Sequence, residues 1–152
     1  MVLRRGTAGT LRNLLVTGFP LEAIDLRDAA TAAQWASDGL SLAGALITDT
    51  GPGGERYFLE ETGEADDDAG FDESKAFAGA PGVRLGAASG LPREARSPTA
   101  PVFVPAADAA LLEGAQAPPE GEFWDERARF LGALRPGGES SWLDGWTDFP
   151  VN

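Results

Sequence analysis

The chain has 152 residues, enough for one domain with its own core, and its 43% hydrophobic and 24% charged content is that of a folded protein and not a disordered one. Twelve basic against 24 acidic side chains leave a formal charge of −12, a field that repels phosphate backbones and anionic lipid, so nucleic acid is not expected as a partner. Cysteine and histidine are both absent, which excludes within this chain a Cys nucleophile, a Ser-His-Asp triad, histidine acid–base catalysis and an ordinary zinc site.

In chain order, residues 1–50 read as short strands. "VLRR" from Val2, "TLRNLLVTGF" from Thr10, "AIDLRD" from Ala23 and "LSLAGALITD" from Leu40 are apolar-rich and punctuated by Gly, Pro or Asp. Continuous runs such as "LLV" and "ALI" suit strands buried on both faces, whereas the alternation in "AIDL" suits a half-buried strand. Between the last two strands "AATAAQWAS" has the alanine content of a short helix, with Asp28 as its N-cap. Strands spaced so closely fit a sandwich, a barrel or a solenoid. The early turns lack Asn-Gly or Asp-Gly between matched strands, the signal of an antiparallel hairpin, and that favours the solenoid.

Residues 51–80 carry two basic and nine acidic side chains and so hold most of the charge excess. This segment opens on a Gly-Pro loop, predicts a short helix around "RYFLEE", and runs through Asp66, Asp67 and Asp68. Clustered carboxylates on a loop are ligands for calcium, but the EF-hand register is missing, and the competing reading is a hydrated acidic loop. From residue 81 to 121, Pro and Gly recur too often for regular helices; "AADAALLEGA" allows a short one, and "PVFVP" allows an edge strand. Residues 122–152 gather Phe123, Trp124, Phe130, Trp142, Trp146 and Phe149. These aromatics form either a plug over an open core, the favoured expectation, or a platform on which sugar rings stack.

No stretch reaches the roughly 18 apolar residues that span a bilayer. The opening "MVLRRGTAGTLRNLLVTGFP" is a poor signal peptide, because Gly18 and Pro20 break its apolar run.

Two stretches carry a resemblance. "LRRGTAGTLRNLLVTGFPLEAIDLRDAAT" resembles the late coils of large exported bacterial proteins with a right-handed parallel β-helix, lipoprotein-type and often labelled multidrug transporters. Their closing aromatic segment is matched here by Phe123, Trp124, Phe130, Gly132 and Ala133, followed by Trp142, Gly145, Trp146 and Thr147. The resemblance implies a mainly β chain. Residues 1–50 would be terminal β-helix coils, 51–121 an acidic and Pro/Gly-rich loop region with short helices, and 122–152 an aromatic C-terminal cap. It also implies an extracellular or outer-membrane-surface location in a bacterium. The chain would be the closing end of a longer protein, with upstream coils or a partner covering its open end.

Two functional expectations follow. The first is a non-enzymatic surface module of structural or adhesion type, with carbohydrate as a possible ligand. The alternative is a polysaccharide-active lyase or glycosidase-like enzyme, or an inactive fragment of one, for which Asp25 and Asp28 are the available paired carboxylates. Asp at strand ends also forms turns, and no catalytic, cofactor or metal residue is assigned.

Overall fold

The computed structural model describes residues 1–59, 63, 66–91, 104–107 and 109–138. Among the described residues there are five strands, β1 (Val2–Leu3), β2 (Gly9–Thr17), β3 (Asp25–Leu26), β4 (Leu40–Thr48) and β5 (Val83–Leu85), and two α-helices, α1 (Ala29–Ala36) and α2 (Glu73–Ala78). All pairing is parallel. β1 lies beside β3, and a separate sheet has the order β2-β4-β5. A parallel neighbour requires a crossover. The β2-to-β4 crossover contains β3 and α1, and the β4-to-β5 crossover contains a 3-10 turn at Pro52–Gly54 and α2.

The structure is therefore a small mixed α/β domain, and not the last coils of a right-handed parallel β-helix. A solenoid repeats one set of strands per coil; here successive crossovers differ in length and content, and three of the five strands have only two or three residues. The apolar runs at "LLV" and "ALI" do form nine-residue strands, half-buried in β2 and buried on both faces in β4, but what joins them is helical and irregular. The helix expected around "RYFLEE" does not form over residues 56–59, where Phe58 instead makes a parallel bridge to Ile24. "AADAALLEGA" yields a 3-10 turn at Ala109–Leu111. Residues 101–103 of "PVFVP" lie outside the described residues, as do Trp142, Gly145, Trp146, Thr147 and Phe149.

One irregularity organises the larger sheet. Arg12 pairs with Ala43 and Leu14 with Ala45, leaving Asn13 and Gly44 side by side between the paired positions, while Gly82 directly precedes the paired Val83. All three have left-handed backbone, with φ of 56°, 71° and 69°. A residue inserted at the same level of each strand reverses the inward–outward parity beyond it. Hence Leu11, Leu14 and Val16 share one face of β2, as Leu40, Leu42, Ala45 and Ile47 share one face of β4.

That face packs on Leu3, Ile24, Leu26, Phe58 and Phe77 to make the main core. α1 and α2 border it. Asp28 caps α1, accepting the Thr31 N–H at 2.8 Å, and Asp72 caps α2, accepting the Lys75 N–H at 2.7 Å. Trp35 of α1 meets Phe77 of α2 edge to face, with centroids 5.0 Å apart, and Phe58 and Phe71 complete the aromatic group. The opposite face of the sheet presents Leu15 and Leu46, which pack with Leu111 and Leu131 in a second, smaller core. The sheet is thus covered on both sides.

Candidate binding cleft

The segment that covers the second face is held to β2 by a side chain acting as backbone. The Asn13 amide donates to the Gln116 carbonyl at 2.9 Å, and its oxygen accepts the Gln116 N–H at 2.7 Å, a two-way pairing that a strand neighbour would supply. Beside it, Arg12 Nη1 donates to the Ala117 carbonyl at 2.8 Å, which lays Pro118 and Pro119 along the end of the sheet. From the other side, the Gly132 N–H donates to the Asn13 carbonyl at 2.8 Å, and the Leu131 N–H donates to the Leu111 carbonyl at 2.8 Å. Arg84 adds an ion pair to Glu113 at 2.9 Å and donates to the Ala110 carbonyl.

Between these two attachments opens a cleft of about 270 Å³ lined by Arg12, Asn13, Pro118, Pro119, Trp124 and Phe130, together with three small residues. Trp124 is 47% exposed, and Phe123, 87% exposed, stands edge-on to it at 5.0 Å. Two of the aromatics expected to plug the core therefore lie on the surface. The cleft walls are apolar, aromatic and pyrrolidine, with one guanidinium and one amide at the rim. Its volume lies just below the range usual for ligand sites, roughly 300–1,000 Å³, and suits a single ring.

The carboxylates named from the sequence lie elsewhere. Asp25 is buried and ion-paired to Arg27 at 2.8 Å. Asp28 accepts the backbone N–H groups of Arg5 and Thr31 and the Thr31 hydroxyl, and these bonds, the one from Arg5 foremost, hold its carboxyl below the usual aspartate range. These bonds make Asp28 the cap of α1, and the lowered carboxyl runs opposite to the raised one a glycosidase acid carries.

In the acidic loop, Asp66 Oδ1 accepts the N–H groups of Asp68 and Gly70 at 3.2 and 3.0 Å, and Asp68 Oδ1 accepts the Phe71 N–H at 2.8 Å. Burial pushes the Asp68 carboxyl up, while the Gly70 N–H, chiefly, pulls that of Asp66 down. Asp67 points to solvent. Among the described residues, no group of three or more acidic side chains gathers as a metal site would require. No helix of the described residues is long and apolar enough to cross a membrane.

No family model, curated protein or solved structure matches this chain. The cleft was only half readable in advance: its aromatics stood out in the sequence, but nothing there placed Arg12 and Asn13, more than a hundred residues earlier, on its rim.

Proposed function

We propose that the protein is a non-enzymatic surface module of structural or adhesion type, carried outside the cell on a bacterium, that holds the apolar face of a sugar ring against Trp124. The observation that carries this reading is the lining of the cleft: a half-exposed indole with flanking prolines and Phe130, and no carboxylate among its lining residues. An indole face accepts the axial C–H groups of a pyranose, while Arg12 and Asn13 at the rim suit its hydroxyls. Polar groups of that kind fix orientation and transfer no proton. The chain as a whole, at −12, repels a polyanion, and this favours a neutral glycan over an anionic one although Arg12 is the one charged group lining the cleft.

Affinity electrophoresis in gels containing neutral polysaccharides, against gels containing anionic ones, tests this. The expected result is retardation by a neutral polymer that is lost in Trp124→Ala, a surface change that leaves the circular dichroism spectrum intact. Equal migration of both proteins in every gel overturns the reading, and so does release of new reducing ends or unsaturated sugars, which would mark an enzyme.

A further inference from the structure

The cleft has more apolar wall than a plain sugar can use. A pyranose has one apolar face, which in the reading above lies on Trp124, and its other edges carry hydroxyls that lose free energy when pressed against apolar surface without a partner. Yet Pro118, Pro119 and Phe130 line the cleft along with Trp124, and no hydroxyl or carboxylate side chain is among the lining residues. A ligand that fills this space carries an apolar group beside its ring.

Its polar side is one-sided as well. Of the lining side chains only Asn13 brings an acceptor, and that oxygen accepts the Gln116 N–H at 2.7 Å while the same amide donates to the Gln116 carbonyl at 2.9 Å. Asn13 therefore positions the segment that leads into the prolines and has little left for a ligand. Arg12 is exposed and gives one donor, Nη1, to the Ala117 carbonyl at 2.8 Å; among the described residues its guanidinium makes no other hydrogen bond or ion pair. A guanidinium is a fork of N–H donors with no acceptor. What remains at the rim is a set of donors, and it selects a ligand that offers an acceptor.

We infer that the ring held in the cleft is that of an N-acetylated amino sugar and that Arg12 determines this specificity, an inference that rests on the glycan reading of the same site. With the ring on Trp124, the acetamido methyl packs against Pro118, Pro119 and Phe130, and the acetamido carbonyl accepts from the free part of the Arg12 fork. One substituent thus supplies both the apolar group and the acceptor. It adds no charge, which suits a chain of net charge −12. An amide carbonyl is a stronger acceptor than the hydroxyl it replaces, and its bond to a charged donor belongs to the strong class.

The test is isothermal titration of the full chain with chitotetraose and with cellotetraose, neutral β-linked tetrasaccharides that differ only in carrying an acetamido group or a hydroxyl beside the anomeric carbon of each ring. Chitotetraose is expected to bind about tenfold more tightly, and Trp124→Ala to abolish binding of both. Arg12→Lys keeps the charge but not the fork. It is expected to weaken chitotetraose about tenfold and cellotetraose little, with the circular dichroism spectrum unchanged. Equal weakening of both sugars would mean that Arg12 only holds Ala117 in place, and overturns its role in specificity. Equal affinity of the parent for the two sugars overturns the inference and leaves the ring-stacking reading standing, and binding of cellotetraose alone or of neither sugar overturns the inference too. A preference for chitotetraose that persists undiminished in Trp124→Ala overturns the ring-stacking reading instead, so the two failures are separable.

Discussion

Asn13, Gly44 and Gly82 show how single residues set the shape of the sheet. A Cβ on Gly44 would sit 2.6 Å from Asn13 Oδ1 and 3.0 Å from the Gly114 carbonyl, and one on Gly82 would strike that same carbonyl. The left-handed φ at each position is strained for any residue with a Cβ, though asparagine tolerates it better than most. Gly44→Ala should therefore cost about 2 to 4 kcal/mol in urea unfolding, combining backbone strain with overlap. At Asn13 the two contributions separate: Asn13→Gly keeps the conformation but loses both bonds to Gln116, whereas Asn13→Ala loses both bonds and adds strain, so alanine should be the worse of the two. Asp68 gives a pH signature. Burial raises its carboxyl pKa in the folded state, so the folded chain holds that proton more tightly than the unfolded chain, and stability declines as pH rises through the folded value. Asp68→Asn keeps the acceptor for the Phe71 N–H and removes the charge. This variant should be more stable than the parent at neutral pH, with the gap closing below the ordinary value of 3.8; a gap that widens in acid would contradict the assignment.

The helices draw their stability from neighbours. At six residues α2 is too short to persist alone. What holds it are the Asp72 cap, Phe77 at zero exposure, and Glu73 Oε1 accepting the Leu26 N–H at 3.3 Å across to β3. Phe77→Ala removes the ring on which Trp35, Phe58 and Phe71 converge and should cost about 3 to 5 kcal/mol, read from the urea midpoint. Local signals explain which elements the sequence disclosed. α1 was readable because alanine is abundant there and Asp28 precedes it. β2 and β4 were readable as apolar runs, but their aligned insertions scrambled the alternation that would have marked the inward face. α2 was hidden inside an acidic stretch read as a loop, although Asp72 before "ESKAFA" is an N-cap signal. The solenoid expectation failed because closely spaced apolar runs indicate strands without indicating what joins them. The cleft was hidden for a different reason: it depends on Asn13 reaching Gln116, a contact that no local pattern encodes.

Across the molecule the question is whether two cores make one cooperative unit. They meet in β4, where Leu46 faces the smaller core and its neighbours Ala45 and Ile47 face the larger. Adjacent residues of one strand cannot leave their partners independently, since releasing Leu46 frees the backbone pairs Leu15↔Leu46 and Leu46↔Arg84 that align Ile47. The covering segment adds hydrogen bonds at Arg12 and Asn13 of β2 and at Arg84 of β5, and so on both sides of β4. Leu131 is fully buried with Leu46 and Leu111 in the smaller core, whereas the aromatic group around Phe77 belongs to the larger one. Leu131→Ala should therefore destabilise by about 2 to 5 kcal/mol, and the loss should be shared. Hydrogen exchange at the amides of Ala45, Leu46 and Ile47 should quicken by the same free energy as exchange in residues 109–115, with the aromatic near-ultraviolet signal melting at the same lowered midpoint. If residues 109–138 open while the β4 amides keep their parent protection, the second core is a separate cooperative unit that docks on a sheet already stable without it.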